Sequence, residues 1–145
     1  MTIKTAVLNG VATIEIARPE KKNAITAAMY LAMADALDAA MADAAVRAVL
    51  ITGQPGIFTS GNDLEDFMSR PPGDGMDSPV FRFVCALIEC DKPVIAALNG
   101  PARGAGLDIA LLCDLRIAGQ SATFAESYVD LGLIAGAGGS YALPR

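Results

Sequence analysis

Apolar and polar residues alternate near the start of the chain in the manner of a β-hairpin. Residues 6–17 read AVLNGVATIEIA, in which Ile14 and Ile16 lie on a two-residue period after an Asn9-Gly10 pair. A two-residue period places every second side chain on one face of a strand, and Asn-Gly favours a type I′ turn. The pattern therefore predicts two antiparallel strands that turn at Asn9-Gly10.

The next segment has the four-residue spacing of an amphipathic helix. Thr26 is a suitable N-cap, and we expect the helix to extend to about Ala45. A helix of this kind packs one side against the core. The residues predicted on its apolar face are Met29, Met33, Leu37 and Met41.

Further along, short apolar runs at 47–53, 94–100 and 114–119 predict strands. Residues 54–67 are rich in turn residues and lead into a possible helix, whereas 70–79 is expected to be the most mobile loop. A second amphipathic helix is predicted before the strand at 94–100. Its marker residues are Phe81, Val84, Cys85 and Ile88.

Short apolar strands separated by helices indicate an α/β fold. The 145 residues suffice for one core, and no linker divides them, so we expect a single domain over residues 1–145. The hydrophobic fraction of 53% slightly exceeds the usual ~45–50%. Because no run approaches the ~18 apolar residues that span a membrane, we assign the excess to the core or a subunit interface.

Charge and composition exclude several classes of function. The net charge of −5 argues against a nucleic-acid partner, and the absence of histidine removes the Ser-His-Asp triad and most zinc sites. We expect neither a metal nor a cofactor. The odd set Cys85, Cys90 and Cys113 predicts buried thiols in a reducing compartment. The first residues show no secretion signal, so the cytoplasm is the default location.

Two loops combine glycine with a predicted helix start. Residues 99–108 read NGPARGAGLD, and residues 57–67 read IFTSGNDLEDF. Unpaired N–H groups at a helix start bind a phosphate or a developing oxyanion, whereas a tight turn needs glycine for geometry alone. Two such loops after neighbouring strands can direct two N–H groups at one oxygen. Asp108 either complements the helix dipole or serves as an acid–base group.

Three stretches resemble the crotonase (enoyl-CoA hydratase/isomerase) superfamily. FTSGNDLEDF at 58–67 and the sequence at 92–140 are similar to its two signature blocks, and ARPEKKNAIT at 17–26 resembles its arm near the coenzyme A nucleotide. Together they cover nearly the whole chain in the expected order. The resemblance implies a spiral of strand–strand–helix units. It also implies that the chain lacks the C-terminal helices with which the family normally continues.

The resemblance further implies an acyl-CoA thioester substrate whose oxygen is held by two backbone N–H groups. Carried over by motif, these donors fall at Ser60 and at Ala105, where the family commonly has glycine. Asp108 falls where hydratases often carry a catalytic glutamate. Such a site stabilises a thioester enolate while an acid–base group moves a proton.

The second acid–base residue is less defined. Tyr128 occupies the position of a second hydratase glutamate, and Glu126 and Asp130 lie nearby as possible substitutes. In a strand all three would share a face, whereas in a helix only Glu126 and Asp130 would. Tyrosine is a poor base at neutral pH but a possible proton donor. The sequence leaves the choice open.

The resemblance and the acid at position 108 favour an enoyl-CoA hydratase, with an enoyl-CoA double-bond isomerase as the alternative. A coenzyme A-binding module without turnover and a purely structural subunit are the remaining hypotheses. A homo-oligomer, a trimer or a hexamer of two trimers, is implied by the resemblance. Positive charge for the nucleotide phosphates would come from Arg18, Lys21 and Lys22. The residues assigned to substrate binding are Lys22, Ala24, Ser60, Gly61, Asn62, Asp63, Gly104 and Ala105.

Overall fold

Strands and short helices follow one another along the computed structural model, which describes residues 2–69, 77–134, 136 and 138–144. Most of the loop predicted at 70–79 lies outside the described residues. Of the described helices, none is long and apolar enough to cross a membrane. In chain order the elements are β1 (Ile3–Leu8), β2 (Val11–Ile16), α1 (Ala27–Ala42), β3 (Ala48–Gly53), α2 (Leu64–Met68), α3 (Pro79–Ile88), β4 (Val94–Leu98), β5 (Ala102–Arg103), α4 (Ala105–Leu112), β6 (Leu115–Ala118), β7 (Phe124–Ala125) and α5 (Gly139–Ala142).

The N-terminal hairpin is confirmed. β1 and β2 are antiparallel, with Leu8 opposite Val11. Asn9 and Gly10 both have positive φ angles, 52° and 80°. Two consecutive positive φ angles define the type I′ turn that the sequence predicted.

The strands form two sheets, and successive parts of the chain add strands to each of them. The larger sheet has the order β1-β2-β3-β4-β6, and all its pairs after β1-β2 are parallel. The smaller sheet pairs β5 with β7, and a parallel bridge from Thr59 to Ala102 adds the loop after β3. The units β1-β2-α1, β4-β5-α4 and β6-β7-α5 are the strand–strand–helix repeats expected for the α/β spiral.

The hydrophobic core lies between one face of the larger sheet and helices α1 and α3. Alternate residues of the central strands are buried, as Ile14 on β2 and Val49 on β3 illustrate. The Tyr30 ring on α1 lies 5.7 Å from the Phe83 ring on α3, centroid to centroid. The predicted apolar face of α1 is confirmed for Met29, Met33 and Leu37, which are buried, whereas Met41 is only half-buried.

Helix α1 ends at Ala42 rather than near Ala45. The Asp43 carboxylate accepts a hydrogen bond from the Ala45 N–H at 2.8 Å, which closes a tight turn and stops the helix. The Lys92 ammonium then donates to the carbonyl oxygens of Ala40 at 2.6 Å and Asp43 at 2.7 Å. A cation therefore occupies the C-terminal end of the helix, where it stabilises the unpaired carbonyls.

Helix α3 is present, but its predicted face is wrong. Phe83 and its neighbours Ala86 and Leu87 are buried, whereas Ile88 is 65% exposed. The helix reads PVFRFVCALI and is apolar on nearly all sides, so residue spacing does not select one face. Contact with α1, including the Tyr30 ring, selects it instead.

The three cysteines are free thiols. Cys113 is buried as predicted, and burial raises the pKa of its thiol to about 12. Cys85 and Cys90 are only half-buried, which corrects the prediction for these two.

Candidate active site

Residues 18–25, which we call the arm, fix the loop that follows β3. Asn23 is fully buried and donates from Nδ2 to the carbonyl oxygens of Ile57 at 3.3 Å and Phe58 at 3.1 Å. The Thr59 hydroxyl donates in return to the Asn23 carbonyl at 2.7 Å. The arm thus holds the loop by several buried hydrogen bonds.

An ion pair adds to this connection. The Arg18 guanidinium donates to Asp63 Oδ2 at 2.7 Å and to the Ala24 carbonyl at 3.0 Å. Asp63 also caps α2 by accepting from the Asp66 N–H at 3.0 Å. The hydrogen bonds from Asp66 and Arg18 hold the pKa of the Asp63 carboxyl below its usual range. Both Arg18 and Asp63, predicted to serve ligand binding, are engaged in building the loop.

Some backbone N–H groups of the loop after β3 have a hydrogen-bond acceptor among the described residues, and others do not. The Ser60 N–H donates to the Lys22 carbonyl at 3.1 Å, and the Gly61 N–H donates to the Thr59 hydroxyl at 3.0 Å. The prediction of Ser60 as an oxyanion donor is therefore wrong, because its N–H already has a partner. None of the described residues accepts a hydrogen bond from the Asn62 N–H. The unpaired donor of this loop is Asn62.

The second loop presents the N-terminus of α4. Gly104, with φ of +48°, precedes the helix, and its carbonyl accepts from the N–H groups of Leu107 and Asp108. The Ala105 N–H has no acceptor among the residues that the structure describes. Ala105 itself does not have a positive φ angle, so alanine replaces glycine here without backbone strain.

The two loops are in close contact. Gly61 has φ of +92°, and a Cβ atom at this position would lie 2.7 Å from the Arg103 carbonyl oxygen and 3.4 Å from the Ala105 nitrogen. Only glycine allows this approach. The stretch that carries the Asn62 N–H therefore packs directly against the start of α4, and both unpaired N–H groups belong to the lining of one cleft.

This cleft has a volume of about 1290 Å³. Lys21 lines it, whereas Lys22 does not. The Lys22 carbonyl accepts a hydrogen bond from the Ser60 N–H, and a role of its ammonium in binding the nucleotide stays a prediction. Apolar side chains such as Phe67 and Val80 line the part near α2 and α3. The predicted binding residues that the structure brings to the cleft are Ala24, Ser60, Gly61, Asn62, Asp63, Gly104 and Ala105.

Asp108 lies in the cleft one turn into α4, although it is only 2% exposed. The Tyr128 hydroxyl donates to Asp108 Oδ2 at 2.5 Å. Burial raises the pKa of the Asp108 carboxyl, and the Tyr128 hydrogen bond partly opposes this. Glu126 lies next to the pair, and burial together with the Asp108 charge raises the pKa of its carboxyl. Two carboxyl groups and one phenol therefore form a cluster.

Neither alternative for the segment 126–128 is observed. β7 ends at Ala125 and a 3₁₀ turn begins at Val129, so the intervening residues belong to neither a strand nor a helix. Glu126 and Tyr128 nevertheless both reach Asp108. Asp130 lies in the 3₁₀ turn, lines the cleft and is exposed.

Comparisons with known proteins agree with this arrangement. The sequence profile described as enoyl-CoA hydratase/isomerase matches residues 7–145. The chain belongs to the enoyl-CoA hydratase/isomerase family. It is 39% identical to a probable enoyl-CoA hydratase of Rhodobacter capsulatus, with 99% of this chain and 56% of that protein covered. It is also 39% identical to the 1,2-epoxyphenylacetyl-CoA isomerase of Escherichia coli, with 99% and 57% covered.

Solved structures show the same fold. The structure of Pseudomonas aeruginosa OdaA superposes with a TM-score of 0.93 at 51% identity, covering 99% of this chain and 58% of that chain. The expected crotonase-like spiral is thereby confirmed. The chain spans just over half the length of these family members.

Two tyrosines, Tyr128 and Tyr30, also line this cleft. Burial and the neighbouring Asp108 hydrogen bond raise the pKa of the Tyr128 phenol, so it keeps its proton and acts as a donor. Tyr30 was not predicted as a site residue. Its hydroxyl donates to Asn62 Oδ1 at 2.7 Å, and its ring is buried in the core. In the sequence, only its position next to Met29 in the predicted helix indicated that Tyr30 would lie near the core.

Within the described ranges, no group of three or more Cys, Asp or Glu side chains is arranged to hold a metal ion. The groups that the cleft brings together include two unpaired backbone N–H groups, the buried Asp108 carboxyl and the Tyr128 hydroxyl.

Proposed function

We propose that this chain forms the thioester-binding and proton-transfer core of an enoyl-CoA hydratase. The proposal is supported by membership of the family and by a cleft that combines unpaired N–H groups with a buried acid. The observation that carries it is Asp108, a nearly inaccessible carboxyl in the same cleft as the Asn62 and Ala105 N–H groups.

The two N–H groups supply electrostatic stabilisation. A thioester oxygen bound between Asn62 and Ala105 gains negative charge when the adjacent α-carbon becomes part of an enolate. Fixed donors that point to this oxygen stabilise the charge without reorganisation. The Tyr30 hydrogen bond to the Asn62 side chain and the arm contacts hold the donors in place.

Asp108 supplies the proton transfer. In hydration, the oxygen of water bonds to the β-carbon while Asp108 accepts the proton that water loses. The electron pair of the double bond moves onto the thioester oxygen as an enolate. The enolate then collapses as the α-carbon takes a proton from the Asp108 cluster, which leaves a 3-hydroxyacyl thioester and the cluster in its starting protonation state.

One observation favours a second candidate, an enoyl-CoA isomerase. The Tyr128 hydroxyl bonds directly to Asp108 and is held protonated, so the position of a second hydratase glutamate provides no separate base. A single carboxylate suffices to move a double bond. Asp108 would take a proton from C2 of a 3-enoyl thioester and return it to C4.

A substrate pair in heavy-oxygen water separates the two reactions. Crotonyl-CoA and a 3-enoyl-CoA are incubated with the chain, and the products are analysed by mass spectrometry. Incorporation of heavy oxygen into a 3-hydroxyacyl product supports the hydratase. Conversion of the 3-enoyl to the 2-enoyl thioester without oxygen uptake would replace it by the isomerase. Binding of both thioesters without reaction would leave a binding module.

We also propose that the chain self-associates. Large apolar side chains remain exposed on and after β6, for example Leu115 at 57%, Ile117 at 65% and Ile134 at 89%. Apolar patches of this kind are typical of subunit contacts. Sedimentation velocity over a range of concentrations tests this proposal, and a monomer at all concentrations would contradict it.

A further inference from the structure

Glu126 has an unusual environment for a carboxyl group. Both of its carboxylate oxygens are buried, and neither has a hydrogen-bond partner among the residues that the structure describes. The same holds for Oδ1 of the neighbouring Asp108. A buried charged group without a hydrogen-bond donor destabilises the folded state, because it has lost its contacts with water and gained nothing in return. Such atoms therefore call for a physical explanation.

A single proton on one carboxyl accounts for most of these unpartnered oxygens. Two ionised carboxylates only accept hydrogen bonds, so they have nothing to donate to each other. Once Glu126 is protonated, it donates to Asp108, which pairs two of the three oxygens and leaves the third on a neutral acid, where the cost of burial is smaller than for a charge. The unpartnered oxygens belong to these two carboxyls, both buried, and each group shifts the pKa of the other, as expected for groups close enough to share a proton.

Resting on the proposed role of Asp108, we propose that Glu126 is a neutral carboxylic acid that donates a hydrogen bond to Asp108 Oδ1 and thereby positions the base. Glu126 does not line the cleft, so it acts through Asp108 rather than on the substrate. Asp108 then receives two donors, Glu126 on Oδ1 and the Tyr128 hydroxyl on Oδ2.

The surroundings explain which carboxyl holds the proton. The Tyr128 hydrogen bond stabilises the charged form of Asp108, whereas Glu126 has no such donor. Burial raises the pKa of Glu126, and the nearby Asp108 charge raises it further. Among the described residues, the titratable groups that face the pair are Tyr128 after β7 and Tyr30 on α1. Both are neutral phenols at ordinary pH, so neither adds a charge that competes for the proton.

This arrangement gives the site a base that is buried and yet ionised. Two donors fix the plane of the Asp108 carboxylate, and its remaining lone pairs are available to the cleft. Donors of fixed orientation are the kind of support that an acid–base group in a low-dielectric site requires.

Carbon NMR tests the protonation state without reference to activity. The chain contains five glutamates, so labelling their side-chain carboxyl carbons with ¹³C gives five signals. We expect one of them to keep the shift of a protonated acid at neutral pH and to vanish in Glu126→Gln. Glu89→Gln, at an exposed position, should leave that signal in place. A Glu126 signal that is already ionised at neutral pH would overturn the proposal.

The signal is assignable even if Glu126→Gln does not fold. Single Gln substitutions of Glu15, Glu20, Glu65 and Glu89 assign the remaining signal by elimination. Because this measurement uses the chain without substrate, its outcome does not depend on the reaction catalysed. An inactive chain with a protonated Glu126 would contradict the proposed function alone.

Kinetics then test the positioning role. Glu126→Ala removes the donor to Asp108, so the pKa of Asp108 rises and the acidic limb of the kcat/KM profile moves to higher pH. Glu126→Gln keeps a donor, the side-chain amide, and should restore the limb toward that of the wild type. Two variants with the same pH profile and differing only in rate would contradict a positioning role for Glu126.

Discussion

Asp108 combines two features that rarely occur together, near-complete burial and a hydrogen bond that favours its charge. A carboxyl that only complemented the helix dipole would be expected at the surface of the first turn, where it is worth about 0.3–1 kcal/mol. Burial in a cleft, beside two unpaired N–H groups, has a cost that such a role does not explain. The position therefore favours proton transfer.

Replacement of Asp108 by Asn tests this role. Asparagine has nearly the same shape but cannot exchange a proton. We expect turnover to fall by roughly 10²–10⁴-fold while thioester binding, measured by calorimetry, changes little. Asp130→Asn is the matched control, since Asp130 is an exposed acid of the same cleft. Equal losses in the two variants would mean that Asp108 is not the acid–base group.

The Tyr128 hydroxyl should set the pH range over which Asp108 is a base. Tyr128→Phe removes a donor to the ionised carboxylate, so the pKa of Asp108 rises further above its usual value. As the pH falls, Asp108 is then protonated, and no longer acts as a base, at a higher pH than in the wild type. We expect the acidic limb of the kcat/KM profile to move upward while the rate at alkaline pH changes less. An unshifted limb would show that Tyr128 does not stabilise the charge of Asp108.

Among the individual site residues, the sequence correctly predicted Asp108 and Ala105 as members of the cleft. It placed the N–H donor of the loop after β3 at the wrong residue. Ser60 and Asn62 are two residues apart in one loop, and motif similarity does not show which N–H is free. The arm decides, because the Lys22 carbonyl takes the Ser60 N–H and the Ile25 carbonyl takes that of Asp63. Contacts between segments distant in sequence are not readable from either segment alone.

Among the elements, the contact between the loop after β3 and the start of α4 creates the donor pair. Gly61→Ala places a Cβ 2.7 Å from the Arg103 carbonyl oxygen, which forces the two stretches apart. We expect thioester binding to weaken and the free energy of unfolding to fall. Calorimetry and urea unfolding measure the two effects.

Gly56→Ala is the control for that substitution. Gly56 has nearly the same φ, +91°, but a Cβ there would meet nothing within 4 Å. It should cost only the backbone strain, about 1–2 kcal/mol, and leave binding intact. If Gly56→Ala weakens binding as much as Gly61→Ala, the loop contact is not what positions the donors.

The arm is expected to stabilise the site through Asn23. Asn23→Ala removes the donor to two carbonyls and the acceptor of the Arg18 N–H. Buried groups left unpaired cost about 1–3 kcal/mol of unfolding free energy. Asn9→Ala is a matched control, because Asn9 and Asn23 have φ angles of 52° and 55° but Asn9 is exposed. Chemical unfolding should show a clearly larger loss for Asn23→Ala.

The elements themselves were largely predictable from periodicity. The hairpin, α1 and the central strands follow from alternating or four-residue patterns, because one side of each is buried. The face of α3 was not predictable, since its apolar residues surround the helix and only packing selects Phe83. The segment at Glu126 was equally ambiguous, because it adopts neither regular pattern.

For the whole molecule, spacing indicated an α/β fold, and only the family resemblance supplied the spiral of strand–strand–helix units; its division into two sheets was not predicted. The small sheet is built from two-residue strands and a single bridge at Thr59, which are too short to leave a periodic signal. Those short pieces carry the two loops of the site. The part of the fold that carries the site is therefore the part that the hydrophobic pattern of the sequence predicts least well.

Stability should depend on pH through the same carboxyl cluster. The pKa of Glu126 is raised in the folded state, so folding binds its proton more tightly, and this contribution is complete below the unfolded pKa. It is lost as the pH rises through the folded pKa. We expect the stability advantage of the wild type over Glu126→Gln, from urea unfolding, to shrink with rising pH. An advantage that grows would contradict the raised pKa.

We propose that this cleft stabilises a thioester enolate while Asp108 moves the proton. Exchange of the α-protons of butyryl-CoA in heavy water, followed by NMR, tests it directly, whichever product the full reaction gives. We predict measurable exchange with the wild type and with Asp130→Asn, and a loss of roughly 10²–10⁴-fold with Asp108→Asn. Bound butyryl-CoA without exchange would contradict enolate stabilisation by the cleft, and exchange that Asp108→Asn leaves unchanged would contradict proton transfer by Asp108.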